Sequence, residues 1–314
     1  KLSTMRRHLP YIAVLLSMSS WSASGIAVKE ALVALSPMTM IVIRFTLAVL
    51  LMLVVGLCAR KSEMFRLQKV DKKDLPLFIL GGIFQPFLYY ILETFSYDAL
   101  SSPTIAEALL STSPVLAPFF AAAILREHVT RYNILGIIVS TVGMLLLVLV
   151  GASDFSIGNP WGIACAFAAV SAAVLYTIVL RRIPSGYNPL TVVFYVQLSA
   201  LVLFYPLCGF TDGVSGFAHF AEVDIVQLWR SLAAVGYLAL GASVVAFICF
   251  CYTVRVIGVT RTNAFNNVRP AFTAIWMLLF FGEQLPWAKW LGILLIIIGL
   301  FVCQKQPTKP LSNT

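Results

Sequence analysis

Residues 114–143 read PVLAPFFAAAILREHVTRYNILGIIVSTVG, and residues 270–299 read PAFTAIWMLLFFGEQLPWAKWLGILLIIIG. Pro114, Glu127, Gly136 and Gly143 of the first stretch recur as Pro270, Glu283, Gly292 and Gly299 of the second, each pair 156 residues apart (270 − 114). Leu135 and Leu291 keep the same offset. Earlier in the chain, Ser36-Pro37-Met38-Thr39 parallels Asn188-Pro189-Leu190-Thr191 at an offset of 152 (188 − 36). A proline, a glutamate and two glycines repeated at one spacing, inside long apolar runs, mark a duplicated unit.

The solvent of that unit follows from composition. The chain has 314 residues, of which 60% are hydrophobic and only 11% charged, against about 25% charged in an ordinary soluble domain. A protein this apolar lacks the polar surface to face water, so lipid is its expected solvent. Its apolar residues fall into runs of about 20, the length that crosses a hydrocarbon core of about 30 Å. Spans are expected near 10–28, 37–58, 75–97, 103–125, 132–151, 160–180, 189–209, 231–254, 262–281 and 287–303. The runs are continuous and not alternating, which points to helices and away from a barrel. The expected fold is therefore an all-α integral membrane protein with ten transmembrane helices. They divide into a first five-helix repeat at 1–152, a second at 153–304 and a tail at 305–314.

Five is odd, so the second repeat enters the membrane from the opposite face and is inverted. Charge agrees with that topology. Of the 22 Lys and Arg, seventeen fall in segments that share a face with the N-terminus, and Lys29, Arg230 and Lys289 fall on the other. This is the positive-inside bias, and it puts both termini in the cytoplasm. Inverted repeats are a recurring design of secondary transporters, with sites near the midplane. The net charge of +9 is thus an orientation signal, and no nucleic-acid partner is expected. Six cysteines lie in or beside apolar spans without zinc-site spacing, and no metal or cofactor is expected. The chain contains no Walker loop, no G-x-S-x-G and no H-E-x-x-H, so neither an ATP-driven pump nor an enzyme is expected.

Several residues carry a likeness to a known family. They are Trp21 with Gly25, Ser36-Pro37 with Arg44-Phe45, Leu125-Arg126-Glu127, and Phe281-Gly282-Glu283, together with the doubled proline-glutamate-glycine pattern. The set resembles the drug/metabolite transporter superfamily, and within it the EamA type, across essentially the whole chain. The resemblance implies an inner- or plasma-membrane carrier that moves a small polar metabolite, amino acid or drug-like compound by alternating access, with export as the expected direction. A passive facilitator or channel for a small solute is the alternative reading.

Charged and amide groups inside the spans are the candidates for chemistry, because a charge at the bilayer centre costs about 2.5–3.5 kcal/mol on insertion scales. Arg44, Glu93, Glu107 and Arg269 stand there. Gln85, Tyr89 and Glu93 follow one another at intervals of four, which puts them on one face of a continuous helix. Glu93 and Glu107 lie near the outer ends of consecutive spans. Facing each other across one vestibule they would form a proton site or bind a cation; alternatively each snorkels to the headgroups or pairs with Arg44. Arg44 reads as a structural pairing residue.

Asn263, Asn267 and Pro270, at spacings of four and three, form an amide-rich stripe on span nine; Ser111 to Ser113 before Pro114 are its first-repeat counterpart. A proline frees a backbone carbonyl, so Pro114 and Pro270 mark gating or structural breaks. Plain helix–helix hydrogen bonding is the competing account of the polar residues. Trp21 lies on a small-residue face with Ser17, Ser20 and Ser24, suited to capping a cavity, and Tyr176 and Tyr195 are possible aromatic walls. The expected substrate-binding set is Trp21, Tyr89, Glu93, Glu107, Ser111, Asn263 and Asn267.

Overall fold

Proline sets where many of the helices begin. The computed structural model describes residues 2–63, 65–100, 109–149, 159–213, 215–216, 223–281 and 286–305. Helix α1 (Leu2–Ala31) precedes α2 (Pro37–Cys58), whose proline occupies the first helical position, where a missing N–H is harmless. Helix α3 (Leu75–Gly82) is followed by a π-helical segment (Ile83–Leu88) that kinks at Gln85, and then by α4 (Tyr89–Ala99). Next come α5 (Ser113–Leu125), α6 (Arg131–Leu149), α7 (Pro160–Arg182) and α8 (Pro189–Thr211). Helix α9 (Ile225–Tyr237) runs through a second π-helical segment (Leu238–Val245) into α10 (Ala246–Ile257). The chain closes with α11 (Val259–Ala264), a 3₁₀ turn (Phe265–Val268), α12 (Arg269–Phe281) and α13 (Trp287–Gln304).

Among the described residues, seven helices are long and apolar enough to cross a membrane, and α5 and α6 are shorter apolar helices. Bulky side chains left uncovered on their outer faces, such as Val202, Leu279 and Phe301, suit contact with lipid. The expected span 103–125 begins partly in 101–108, outside the described residues. The expected span at 262–281 is interrupted, and the cause is local. Pro270 has no N–H to give the Asn266 carbonyl, four residues back, and the Arg269 N–H takes that carbonyl instead, closing a 3₁₀ turn. The repeat equivalent breaks as well: residues 111–112 form a turn, with the Thr112 N–H donating to the Leu109 carbonyl at 3.1 Å, just before Pro114.

The chain packs as two units, each drawing on both sides of residue 152. One holds Lys1–Ile91 and Leu175–Val256, the other Leu92–Val174 and Ile257–Thr314. In the first, α2 and α8 lie side by side and Phe45 stacks on Phe204, centroids 5.8 Å apart. Asp212, just past the end of α8, caps the start of α2: it accepts from the Thr39 N–H at 3.0 Å and from the Ser36 hydroxyl. At the other end the roles reverse. Gln68, past the end of α2, accepts from the Asn188 N–H at 2.5 Å, and the Gln68 N–H donates to the Thr191 hydroxyl at 3.0 Å. Each helix start is held by the segment that follows the other helix, so the two run antiparallel.

In the second unit α6 and α13 cross at backbone contact. A Cβ on Gly136 would meet the backbone of Gly299 and Cys303, and one on Gly143 would lie 2.5 Å from the Gly292 carbonyl oxygen and 2.8 Å from the Ile296 nitrogen. Gly136 therefore faces Gly299 while Gly143 faces Gly292, which again makes the pair antiparallel. The Asn133 amide adds a bond to the Cys303 carbonyl at 2.6 Å. Glu127 caps α11 in the same unit, accepting from the Thr260 N–H at 3.3 Å and the Thr260 hydroxyl at 3.2 Å. Gly258 leads into that cap at φ +89°, and a side chain there would strike the Glu127 carboxylate.

Candidate functional site

The polar groups of the first unit converge on its second π-helical segment, LALGASVV at 238–245. Small residues there let the backbone widen by one residue per turn, which takes carbonyls out of the ordinary ladder and turns them toward side chains. The Trp21 indole N–H donates to the Ala242 carbonyl at 3.0 Å, and the Gln197 amide donates to the Ser243 carbonyl at 2.5 Å. The Ser17 hydroxyl reaches the Ala246 carbonyl at 2.9 Å. Arg44 Nε donates to the Ser243 hydroxyl at 2.6 Å. Trp21 is fixed further by ring contacts with Phe247 and Phe250, centroids 5.2 and 5.1 Å away.

Arg44 is only 3% exposed. Its guanidinium carbon lies 5.3 Å from the ring centres of both Phe45 and Tyr90. Ser243 and the two rings are its partners among the described residues, and none is a carboxylate, so the expected carboxylate pairing is not found there. In the same unit the Gln197 carbonyl oxygen and the Tyr176 hydroxyl are buried without a partner. Tyr176 is a fully buried wall residue of this unit, its ring edge-on to Phe247. Tyr195 instead meets Phe78 and Phe194.

The amide stripe lies in the second unit and turns into its packed interior. Asn267 is fully buried, and its amide donates to the hydroxyls of Ser140 at 2.8 Å and Thr141 at 3.2 Å. Its own carbonyl oxygen is unpartnered. Asn263 donates to the Val259 carbonyl at 3.0 Å and accepts from the Asn266 amide at 3.3 Å. Ser111 is buried in the same unit, and Pro114 opens α5.

The outer carboxylates fare differently from the spacing argument. Gln85 has extended backbone angles (φ −150°, ψ 121°) inside the first π-helical segment, next to Pro86. The continuous helical face expected for Gln85, Tyr89 and Glu93 is therefore broken, because that reading assumed one unbroken helix and the extended Gln85 kinks it. Tyr89 and Glu93 both remain on α4, Tyr89 buried and Glu93 half-buried. Glu107 lies outside the described residues. No group of three or more His, Cys, Asp or Glu suited to a metal occurs among the described residues, and their cysteines are free thiols.

Sequence reasoning missed Gln197 and Ser243. Gln197 was legible as a lone amide in the apolar run 189–211. Ser243 was not, since nothing but the π-helical register distinguishes it from any other serine in a span.

The repeated sequence pattern has a family counterpart: the model of the EamA-like transporter family matches residues 8–149 and again residues 160–303. The chain belongs to that family. Among similar proteins, an uncharacterized transporter of Archaeoglobus fulgidus is 23% identical over 94% of this chain and 99% of its own. The uncharacterized transporter YetK of Bacillus subtilis is 25% identical over 98% and 96%. A Chlamydia trachomatis protein named as an S-adenosylmethionine/S-adenosylhomocysteine transporter is 24% identical over 89% and 84%. A chain in a solved crystal structure superposes with a TM-score of 0.75 at 19% identity, covering 94% of this chain and 96% of its own, and so shares the fold. This EamA protein is a multi-pass membrane transporter, and the names of the family and of these relatives are those of transporters, not enzymes.

Proposed function

We propose that the chain is a ten-helix secondary carrier of the inner membrane, with both termini cytoplasmic, that exports a small polar metabolite by alternating access. In this reading 1–152 and 153–304 are inverted copies and 305–314 is a cytoplasmic tail. The observation that carries it is the antiparallel crossing of α6 on α13, in which each glycine meets the partner of its own repeat equivalent. Two further matches support the duplication. Shifted by 156 residues, Ile83–Leu88 falls within Leu238–Val245, so both third helices depart from regular α-helix at one place. Both fourth helices are broken ahead of a proline, Pro114 or Pro270. Two near-equivalent, weakened halves exchange conformations at similar energy, which is what inward- and outward-open states require.

Within that carrier Trp21, Tyr89, Ser111, Asn263 and Asn267 contact cargo, Pro114 and Pro270 act at the breaks, and Glu93 and Glu107 carry a coupling proton. The Chlamydia relative supports including S-adenosylmethionine and S-adenosylhomocysteine in a cargo panel with amino acids, amines and nucleobases. Counterflow of labelled compounds in proteoliposomes is the test. A carrier gives saturable flux and transient accumulation against unlabelled compound; flux without counterflow refutes the reading in favour of a channel. Replacing Glu93 and Glu107 together by Gln is expected to flatten the pH dependence of transport. An accessibility tag after the fifth span is expected to label from outside, and cytosolic labelling sinks the inversion.

A further inference from the structure

We infer that Arg44 is a cargo subsite, a guanidinium held ready for a carboxylate group; the inference rests on the carrier reading and names a chemical feature of what is carried. Arg44 is the eighth residue of α2, about 10 Å along the helix from Pro37 at 1.5 Å per residue. Its charge is permanent. A buried charge requires a compensating partner, and among the described residues what surrounds this one is neutral: the Ser243 hydroxyl and the rings of Phe45 and Tyr90. The carbonyls freed by the π-helical segment were the natural substitutes for an anion, but Trp21 takes that of Ala242 and Gln197 takes that of Ser243. The guanidinium is positioned through Nε and by the two rings, while no described residue matches its charge.

Two buried polar atoms without partners belong to the same unit, and they are independent observations. The Gln197 carbonyl oxygen sits on the residue that shares Ser243 with Arg44, and the Tyr176 hydroxyl lies on the ring packed against Phe247. A fold optimised only for stability satisfies such atoms. An incoming amino or hydroxy acid answers the linked pair: its carboxylate pairs with the planar fork of Arg44, and a donor elsewhere on the cargo meets Gln197, which shares Ser243 with Arg44. One carboxylate also matches the single charge, whereas a phosphate dianion would leave an excess negative charge in the site. Planar, two-pronged recognition of this kind is what distinguishes arginine from lysine.

The test is thermal melting of the purified full-length protein in detergent, titrated with common L-amino acids and short mono- and dicarboxylates, each against its carboxamide. At least one acid is expected to raise the melting temperature, and its carboxamide to bind about 30-fold more weakly or worse, the usual loss when one member of a buried charge pair is removed. Arg44→Gln is expected to erase that preference, and Arg44→Lys to weaken acid binding several-fold because the fork is gone. Without ligand, Arg44→Met is expected to melt at or above the wild type, since it removes an uncompensated charge; an arginine placed for stability would give a lower value. Equal binding of acid and carboxamide, stabilisation by no acid in the panel, or a preference that survives Arg44→Gln overturns the inference. If Arg44→Gln does not fold, undiminished acid binding by Arg44→Lys overturns it instead. Counterflow of the stabilising acid separates the two readings. Binding without counterflow removes the carrier and leaves the subsite, while counterflow indifferent to Arg44 does the reverse.

Discussion

Gly136→Ala against Gly25→Ala is the sharpest comparison the packing offers. A Cβ on Gly136 would stand 2.6 Å from the Cys303 Cα and closer still to the backbone of Gly299 and Cys303, none of which can rotate away. Restoring ordinary contact requires α6 and α13 to part by about 1 Å, which forfeits roughly a quarter to a half of each pairwise well of ~0.1–0.2 kcal/mol. Over on the order of forty atom pairs along the seam that is about 2 kcal/mol, within the usual range for overpacking. Better helix propensity returns about 0.5–1 kcal/mol, leaving a net loss of about 1–2 kcal/mol. At Gly25 an added Cβ meets nothing within 4 Å, so only the propensity gain of about 0.5–1 kcal/mol applies there. Reversible SDS titration followed by circular dichroism reads both variants. Gly136→Ala as stable as the wild type, or indistinguishable from Gly25→Ala, would refute the backbone contact and with it the antiparallel seam.

Two further outcomes follow from the first unit. Trp21→Phe keeps an aromatic ring against Phe247 but leaves the Ala242 carbonyl without its donor, and should destabilise by about 1–3 kcal/mol in the same titration; no change would mean the indole bond contributes nothing. At Asp212, partial burial pushes the carboxyl up, but hydrogen bonds from Ser36, the Thr39 N–H, Thr211 and the Thr39 hydroxyl outweigh it and hold it below the usual carboxylate range. Because the folded value is the lower one, this cap is at full strength above the ordinary aspartate range and weakens as pH falls through the depressed value. Hydrogen exchange at the start of α2 should therefore rise on acidification in the wild type, and be fast and pH-flat in Asp212→Asn after correction for intrinsic exchange.

Composition and spacing alone determined the solvent and the helical class and carried the expectation of a duplication, because each is written in patterns of one dimension. Apolar runs have a length set by lipid, and a repeat keeps its offset whatever the fold. The four glycines of the seam were likewise legible as close-packing positions, since little else lets two backbones touch. Tertiary structure alone decided which groups meet. The face shared by Gln85, Tyr89 and Glu93 failed because Gln85 is extended and kinks the helix that such reasoning assumes to be continuous. Arg44 was legible as a buried charge, but its company was not: its partner lies 199 residues away on a segment whose widened turn no composition announces. A polar side chain's role in a membrane protein depends on whether something neutral, something charged or nothing faces it. That is a property of three-dimensional neighbours, and sequence distance carries no record of it.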